Sequence, residues 1–176
     1  MRTKTTRIAA MLGACAMAVA ACTQQQGASA ASTETTDDGY QMTAEDLAKY
    51  VEVIYGDVNR DFGGEIQMDL DSAYCSERWN TKLAELHKRQ RENPDTPIDF
   101  FSANYWVMGQ DAMNVKATNV DVEELGADKA TVSFDLSNFG SATRVMLHMV
   151  KEGDDWKIDN FIDKTNDIDW GAIMNE

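Results

Sequence analysis

ATVSFDLSNFGSATRVMLHMVKEGDDWKIDNFI, residues 130–162, decides the fold. Ala130, Val132, Phe134 and Leu136 alternate with Thr131, Ser133 and Asp135, the period of a strand with one wet face. Ser137 to Ser141 reads as a loop, Ala142 to Lys151 as a long strand, and Glu152 to Asp155 as a turn around Gly153. Trp156 to Ile162 is then the last strand. A tight turn centred on Gly153-Asp154 sets Val145 opposite Ile162 and Met149 opposite Ile158 on the core side. The other side then pairs Arg144 with Asp163 and His148 with Asp159, and facing opposite charges stabilise by about 0.2–1 kcal/mol each. The same register puts Met146 and Phe161 on the outer sheet face.

Upstream, Asn114 to Leu125 places Val115 and Ala117 on one parity and Val120 and Val122 on the other. That switch predicts a bulge near Thr118-Asn119, with a turn at Gly126-Ala127-Asp128. Residues 69–93 read as helical, with Leu70, Ala73, Tyr74, Trp79, Leu83 and Leu86 on the apolar side. A break falls near Ser76 to Asn80, and Pro94 and Pro97 end the run. Thr43 before Glu45 and Asp46 is a hydroxyl cap with carboxylates in the first turn of an earlier helix. Leu47, Tyr50, Val51, Ile54, Tyr55, Val58 and Phe62 recur at spacings of three and four until Gly63-Gly64. Helices first and an antiparallel meander afterwards mean α+β. The folded domain is expected over residues 42–170, followed by a C-terminal tail, 171–176.

The first 21 residues read as a signal peptide. Arg2, Lys4 and Arg7 precede an uncharged run from Ile8 to Ala21, too short to span a bilayer. The run ends in Val19-Ala20-Ala21-Cys22, which resembles a bacterial lipobox and implies lipidation of Cys22. Leu12-Gly13-Ala14-Cys15 is a second candidate with a shorter apolar run, and plain secretion with cleavage after Ala20 is the alternative. Residues 22–41, rich in Gln, Ser, Thr and Ala, read as a flexible tether.

The 176-residue chain has 16 basic and 30 acidic residues, a net charge of −14. Loss of Arg2, Lys4 and Arg7 with the signal leaves 13 basic residues and a net charge of −17. Such acidity disfavours nucleic acid and weakens any charge attraction to anionic lipid. Membrane attachment would rest on the acyl chains, at about 0.8 kcal/mol per buried CH₂. With Cys22 acylated, Cys75 has no partner within the chain and reads as a buried thiol.

The capped first helix, Tyr74-Cys75-Ser76 in the second helical stretch and Gln110-Asp111 before the strands resemble small exported bacterial lipoproteins of unknown function. The ending Val150-Lys151-Glu152-Gly153-Asp154-Asp155-Trp156-Lys157-Ile158-Asp159-Asn160 resembles that of the nuclear-transport-factor-two-like, or cystatin-like, cone fold. The resemblance covers roughly residues 43–163. It implies helices packed on a curved antiparallel sheet whose concave face holds a pocket. Members of that fold include isomerases, hydratases, dimerisation modules and immunity proteins, so the resemblance sets no activity.

Catalytic signatures such as a P-loop, G-x-G-x-x-G, G-x-S-x-G, H-E-x-x-H or C-x-x-C are absent from the sequence. No cofactor is implied, and two separated histidines with one thiol make a poor zinc set. Asp57-Val58-Asn59-Arg60-Asp61 is similar to the start of a calcium loop, but its glycine comes one residue late and Met68 occupies the glutamate position. Three residues remain as acid–base candidates: His148 with Asp159 as its orienting carboxylate, and Asp111. Tyr105, Trp106, Met108 and Asp111 form an aromatic and methionine cluster with one carboxylate, which reads either as core or as a ligand-pocket wall. The sequence therefore points to a lipid-anchored binding module for a small ligand or a protein. A protein partner or a second copy would dock on the outer sheet face through Met146 and Phe161. The alternatives are a small enzyme using His148/Asp159 or Asp111, and an immunity-type inhibitor.

Overall fold

The computed structural model describes residues 42–175. The expected signal peptide, Cys22 and the expected tether at 22–41 lie outside the described residues. Helix α1, Ala44–Phe62, opens on a reciprocal cap: Asp46 N donates to Thr43 Oγ1 at 3.2 Å, and Thr43 N donates to Asp46 Oδ2 at 3.1 Å. Leu47, Val51, Ile54, Tyr55 and Val58 of the expected stripe are buried, while Phe62 is exposed at the helix end. The second helical stretch is two helices, α2 (Leu70–Tyr74) and α3 (Glu77–Glu92), separated at Cys75-Ser76. Ser76 caps α3 by accepting from Trp79 N at 3.0 Å.

Five antiparallel strands follow in sequence order: β1 (Lys116–Leu125), β2 (Lys129–Asn138), β3 (Ser141–Glu152), β4 (Asp155–Asp163) and β5 (Ile168–Asp169). The sheet is curved and unclosed, and the fold is α+β. Register shifts in β1 fall between Thr118 and Asp121 and between Val122 and Glu124, with Asn119 at φ 52°, so the bulge expected from the change of parity is present. Helix α1 lies against β1, and its apolar stripe meets Val132, Phe134 and Leu136 of β2 and Val145, Leu147 and Met149 of β3 in one core.

The last hairpin corrects two expectations. Met149 does face Ile158, but a bulge at Asp159 moves everything beyond it by one position. Val145 then faces Asp163, Met146 faces Ile162, and His148 faces Asn160. Neither Arg144–Asp163 nor His148–Asp159 forms as a cross-strand pair. Arg144 instead bonds Asp135 on β2 at 3.2 Å. Phe161 was expected on the outer face and is fully buried, its ring centroid 4.9 Å from Trp106 and 5.0 Å from both Trp79 and Tyr105. Only Met146 of the proposed docking pair is on the outer face.

The bulge has a physical cause on each side of the sheet. On the core side it exchanges Ile162 for the larger Phe161, which three aromatic rings receive. At the strand edge, Ser76 N donates to Ile158 O at 2.8 Å, and Cys75 makes a parallel bridge to Ile158. Asp159 is drawn outward by Ser76 Oγ at 2.6 Å and by Arg78 Nε at 2.8 Å. The break between α2 and α3 thus covers the free edge of β4. One further result of the shift is that Asp163 turns inward, where it is 2% exposed and accepts from Thr165 N, Asn166 N and Asn166 Nδ2.

The chain end also departs from the expected tail. Helix α4, Trp170–Ile173, is capped by Asp169 and packs on β4, with Gly171 buried and Trp170 and Met174 each 3% exposed. Gly171 N donates to Asn160 Oδ1 at 2.8 Å, and a Cβ at this glycine would come within 2.5 Å of the same oxygen. These residues complete the core rather than leave it.

Candidate functional site

A cleft of about 480 Å³ opens between α3 and the segment that leads into the sheet. Leu83 and His87 of α3 form one wall, and Phe100, Phe101 and Tyr105 form the other. A short 3-10 helix, Asp99–Ser102, buries Phe100 in the core and leaves Phe101 partly exposed at the mouth. His87 stacks on Phe101 with centroids 4.7 Å apart and planes inclined by 24°. Residues 103–113 have no regular helix or strand, so other bonds must hold their shape. Asn104 N donates to Gly109 O at 2.7 Å, and Asn138 Nδ2 donates to Asp111 O at 2.9 Å and to Val107 O at 3.2 Å. This pinning directs Tyr105 and Trp106 inward, where they are 7% and 3% exposed.

The cleft carboxylate is Asp71 of α2. Its Oδ1 accepts from Tyr105 Oη at 2.6 Å and from Trp106 Nε1 at 3.0 Å, and Cys75 Sγ lies 3.7 Å away. Its Oδ2 accepts no hydrogen bond from the described residues, and none of their ion pairs includes Asp71. Burial first, then the charge and hydrogen bond of Asp71, push the Tyr105 phenol far above its ordinary value. Tyr105 therefore remains a donor at physiological pH. The Cys75 thiol, also buried beside Asp71, is pushed well up by the same effects and stays protonated and poorly nucleophilic.

Of the residues expected to line a pocket, Tyr105 does so, and Trp106 stands behind it on the same carboxylate. Met108 packs against the core, and Asp111 is exposed outside the cleft. The carboxylate of the site thus lies some 35 residues before its donors, on a different element. Nothing local marks Asp71. As the second residue after the Asp69 cap, it reads from sequence as a helix-dipole partner like any other.

The acid–base candidates His148 and Asp159 lie near each other but share no hydrogen bond or ion pair among the described residues. His148 is exposed on the outer sheet face opposite Asn160, and Asp159 is held by Arg78 and Ser76. Burial alone would raise the Asp159 carboxyl, but hydrogen bonds from Arg78 and Ser76, the Arg78 charge and nearby His148 outweigh it and hold the carboxyl below its ordinary value. A depressed folded-state value makes the ionised form stabilising above the unfolded value of about 4, and that stability is lost as pH falls through the lower folded value. Asp159→Asn should therefore lower stability by on the order of 1 kcal/mol at neutral pH, since half of the pair is solvent-exposed. The gap from wild type should close below about pH 4. Urea midpoints measured from pH 3 to 8 give this directly; a gap that widened in acid would refute it.

No family model, curated protein or solved structure matches this chain. Other features of the surface hold less chemistry than the cleft. The calcium-like segment ends in α1, with Asp57 bonded to Arg60 at 2.9 Å and to Tyr74 Oη at 2.5 Å, while Asp61 accepts from Met68 N. Among the described residues, no three His, Cys, Asp or Glu side chains come together as a metal site. A groove of about 720 Å³ between α1 and β1 is larger, and its charged lining residues, Glu52 and Lys116, are of opposite sign. The α3 cleft sets one oriented carboxylate beside aromatic side chains, with Ser102, Asn104 and Gln110 as further polar lining. Convergent polar groups of this kind fix a small ligand.

Proposed function

We propose that this chain is an exported, lipid-anchored binding domain of the bacterial cell envelope that holds a small ligand in the α3 cleft without transforming it. The address comes from the basic, apolar and Val19-Ala20-Ala21-Cys22 pattern at the N-terminus. The observation that carries the binding role is Asp71, fixed at the cleft by two buried donors with one oxygen left uncommitted. The capture of Asp159 by Arg78 and Ser76 supports binding over the acid–base alternative. The resemblance to the cone fold implies a pocket on the concave sheet face, whereas residues of α2, α3 and 100–110 line this cleft. The resemblance therefore does not carry the reading and adds no activity.

The test uses the acylated full chain extracted in detergent. Saturation-transfer NMR with a library of aromatic and aliphatic fragments should find binders that compete with one another. Ser102 is exposed at the cleft mouth, so Ser102→Trp should block them. Fragments that bind the Ser102→Trp protein as well as the wild type would sink the reading. For the anchor, an alkyne-bearing fatty acid fed to expressing bacteria should label the wild type and not Cys22→Ser. Equal labelling of the two would refute lipidation at Cys22.

A further inference from the structure

The ligand class can be narrowed from the charge and shape of the cleft, resting on the small-ligand reading above. Asp71 is half-buried, and the two groups that bind it most closely, Tyr105 Oη and Trp106 Nε1, are both neutral. They orient the carboxylate and leave its charge in place. Both donors converge on Oδ1, so Oδ2 keeps its acceptor capacity. A carboxylate lining an aromatic cleft without an Arg or Lys partner is a poor arrangement for stability alone, because partial desolvation costs free energy that pairing would offset.

The walls point to the same chemistry. Phe100 and Tyr105 have centroids 5.4 Å apart, Phe100 and Phe101 also 5.4 Å, and His87 lies against Phe101. Aromatic faces attract cations through the ring quadrupole, more strongly as water is excluded. A metal ion fits poorly, since calcium takes six to eight oxygen ligands and a single carboxylate faces this space. Anions would meet Asp71 within a chain of net charge −14, whose field gathers cations instead. About 480 Å³ suits a small organic molecule.

We infer that the cleft selects organic cations: a primary ammonium or guanidinium group donates to Asp71 Oδ2, and an apolar body lies among Phe100, Phe101 and Tyr105. Selection arises because a neutral analogue keeps the apolar contacts but loses the charge-assisted hydrogen bond, which is roughly twice as strong as a neutral one.

Three probes that share a phenethyl group test this on the detergent-extracted full chain: phenethylammonium, phenethyl alcohol and 3-phenylpropionate. Binding is followed by NMR through the side-chain signals of His87 and Phe101 and the indole N–H of Trp106. Phenethylammonium should bind at least about tenfold more tightly than the alcohol, which corresponds to about 1.4 kcal/mol, and the carboxylate should bind least. Asp71→Asn keeps an oxygen for Tyr105 and Trp106 but removes the charge, so the preference should vanish while the Trp106 indole signal stays in place. Should that variant fail to fold, Ser102→Lys offers a second check. It sets a competing ammonium at the mouth, leaves the Asp71 bonds intact, and should weaken the cation at least about tenfold without weakening the alcohol.

Equal affinity for ammonium and alcohol in the wild type would overturn charge selection and leave the cleft as a neutral-ligand site. A preference that survived in Asp71→Asn would likewise overturn the role of Asp71. If no probe moved the His87 and Phe101 signals at any accessible concentration, the small-ligand reading itself would fall.

Discussion

Replacing Trp79 by alanine should cost about 3–5 kcal/mol of folding stability, the range for removing a fully buried large aromatic. Trp79 has no exposed surface and meets Phe100, Tyr105 and Phe161 with ring centroids 5.0–6.1 Å apart. It joins α3, the cleft wall and the bulged strand β4. Its backbone N–H bond to Ser76 Oγ survives the substitution, so the loss belongs to packing and cavity formation rather than to the helix cap. Domains of this size hold about 5–15 kcal/mol in total, so the variant would be marginal at 37 °C. Urea unfolding should show a large fall in midpoint with little change in slope. Val53→Ala, on the exposed face of α1, is the control and should change stability by less than about 0.5 kcal/mol. A Trp79→Ala loss below about 1 kcal/mol would mean that the aromatic cluster is not packed as described.

The second large effect is at Asp71. Asp71→Ala removes the acceptor from two buried donors at once, Tyr105 Oη and Trp106 Nε1, each costing about 1–3 kcal/mol when left without a partner. A total of about 2–5 kcal/mol is expected, well above the cost of Asp71→Asn, which can still accept at one oxygen. The signature lies in the double variant. Tyr105→Phe deletes one orphaned donor, so Asp71→Ala with Tyr105→Phe should be less destabilised than the two single losses combined. Strict additivity in thermal or urea unfolding would show that the hydroxyl and the carboxylate do not depend on each other.

What was legible in the chain divides by the range of the interaction. Helix α1 was readable because its signals are local: Thr43 with Asp46, a stripe at spacings of three and four, and a glycine pair after Phe62. The bulge at Thr118-Asn119 was readable because a change of side-chain parity is written in the order of residues. The Gly153 turn, and with it the Met149–Ile158 pair, followed from turn chemistry. The bulge at Asp159 was not readable, because Ser76 and Arg78, more than 80 residues away, draw the side chain out, and a pocket of distant aromatics receives Phe161. Alternation alone makes Arg144–Asp163 and His148–Asp159 look complementary, although Arg144 pairs with Asp135 and Asp159 with Arg78.

The site divides in the same way. Tyr105 was visible as part of an aromatic cluster, but its carboxylate was assigned to nearby Asp111 rather than to Asp71 on α2. The choice between them depends on how α2 lies against residues 103–107, a tertiary fact that short motifs do not encode. The burial of Met174, in the stretch expected to be a tail, has a related cause. A run of acidic residues around a single tryptophan has the composition of a surface, and only the turn built on Asp163 carries the chain back to the core.

The two borders of the sheet are not equivalent. Along β4 the Cys75-Ser76 break and strand β5 occupy the backbone groups that would otherwise face outward. Among the described residues, strand β1 has a neighbour strand on one side only, and its defence is irregularity. Two register shifts bend it, and Lys116, Asp121, Glu123 and Glu124 stand exposed along its length. A straight apolar border invites another chain to add its own strand, the first step of aggregation, whereas a kinked and charged one resists it. Crowding many such domains together would therefore repel strand against strand at β1, and the ladder bonds forgone at Asn119 are offset by that protection.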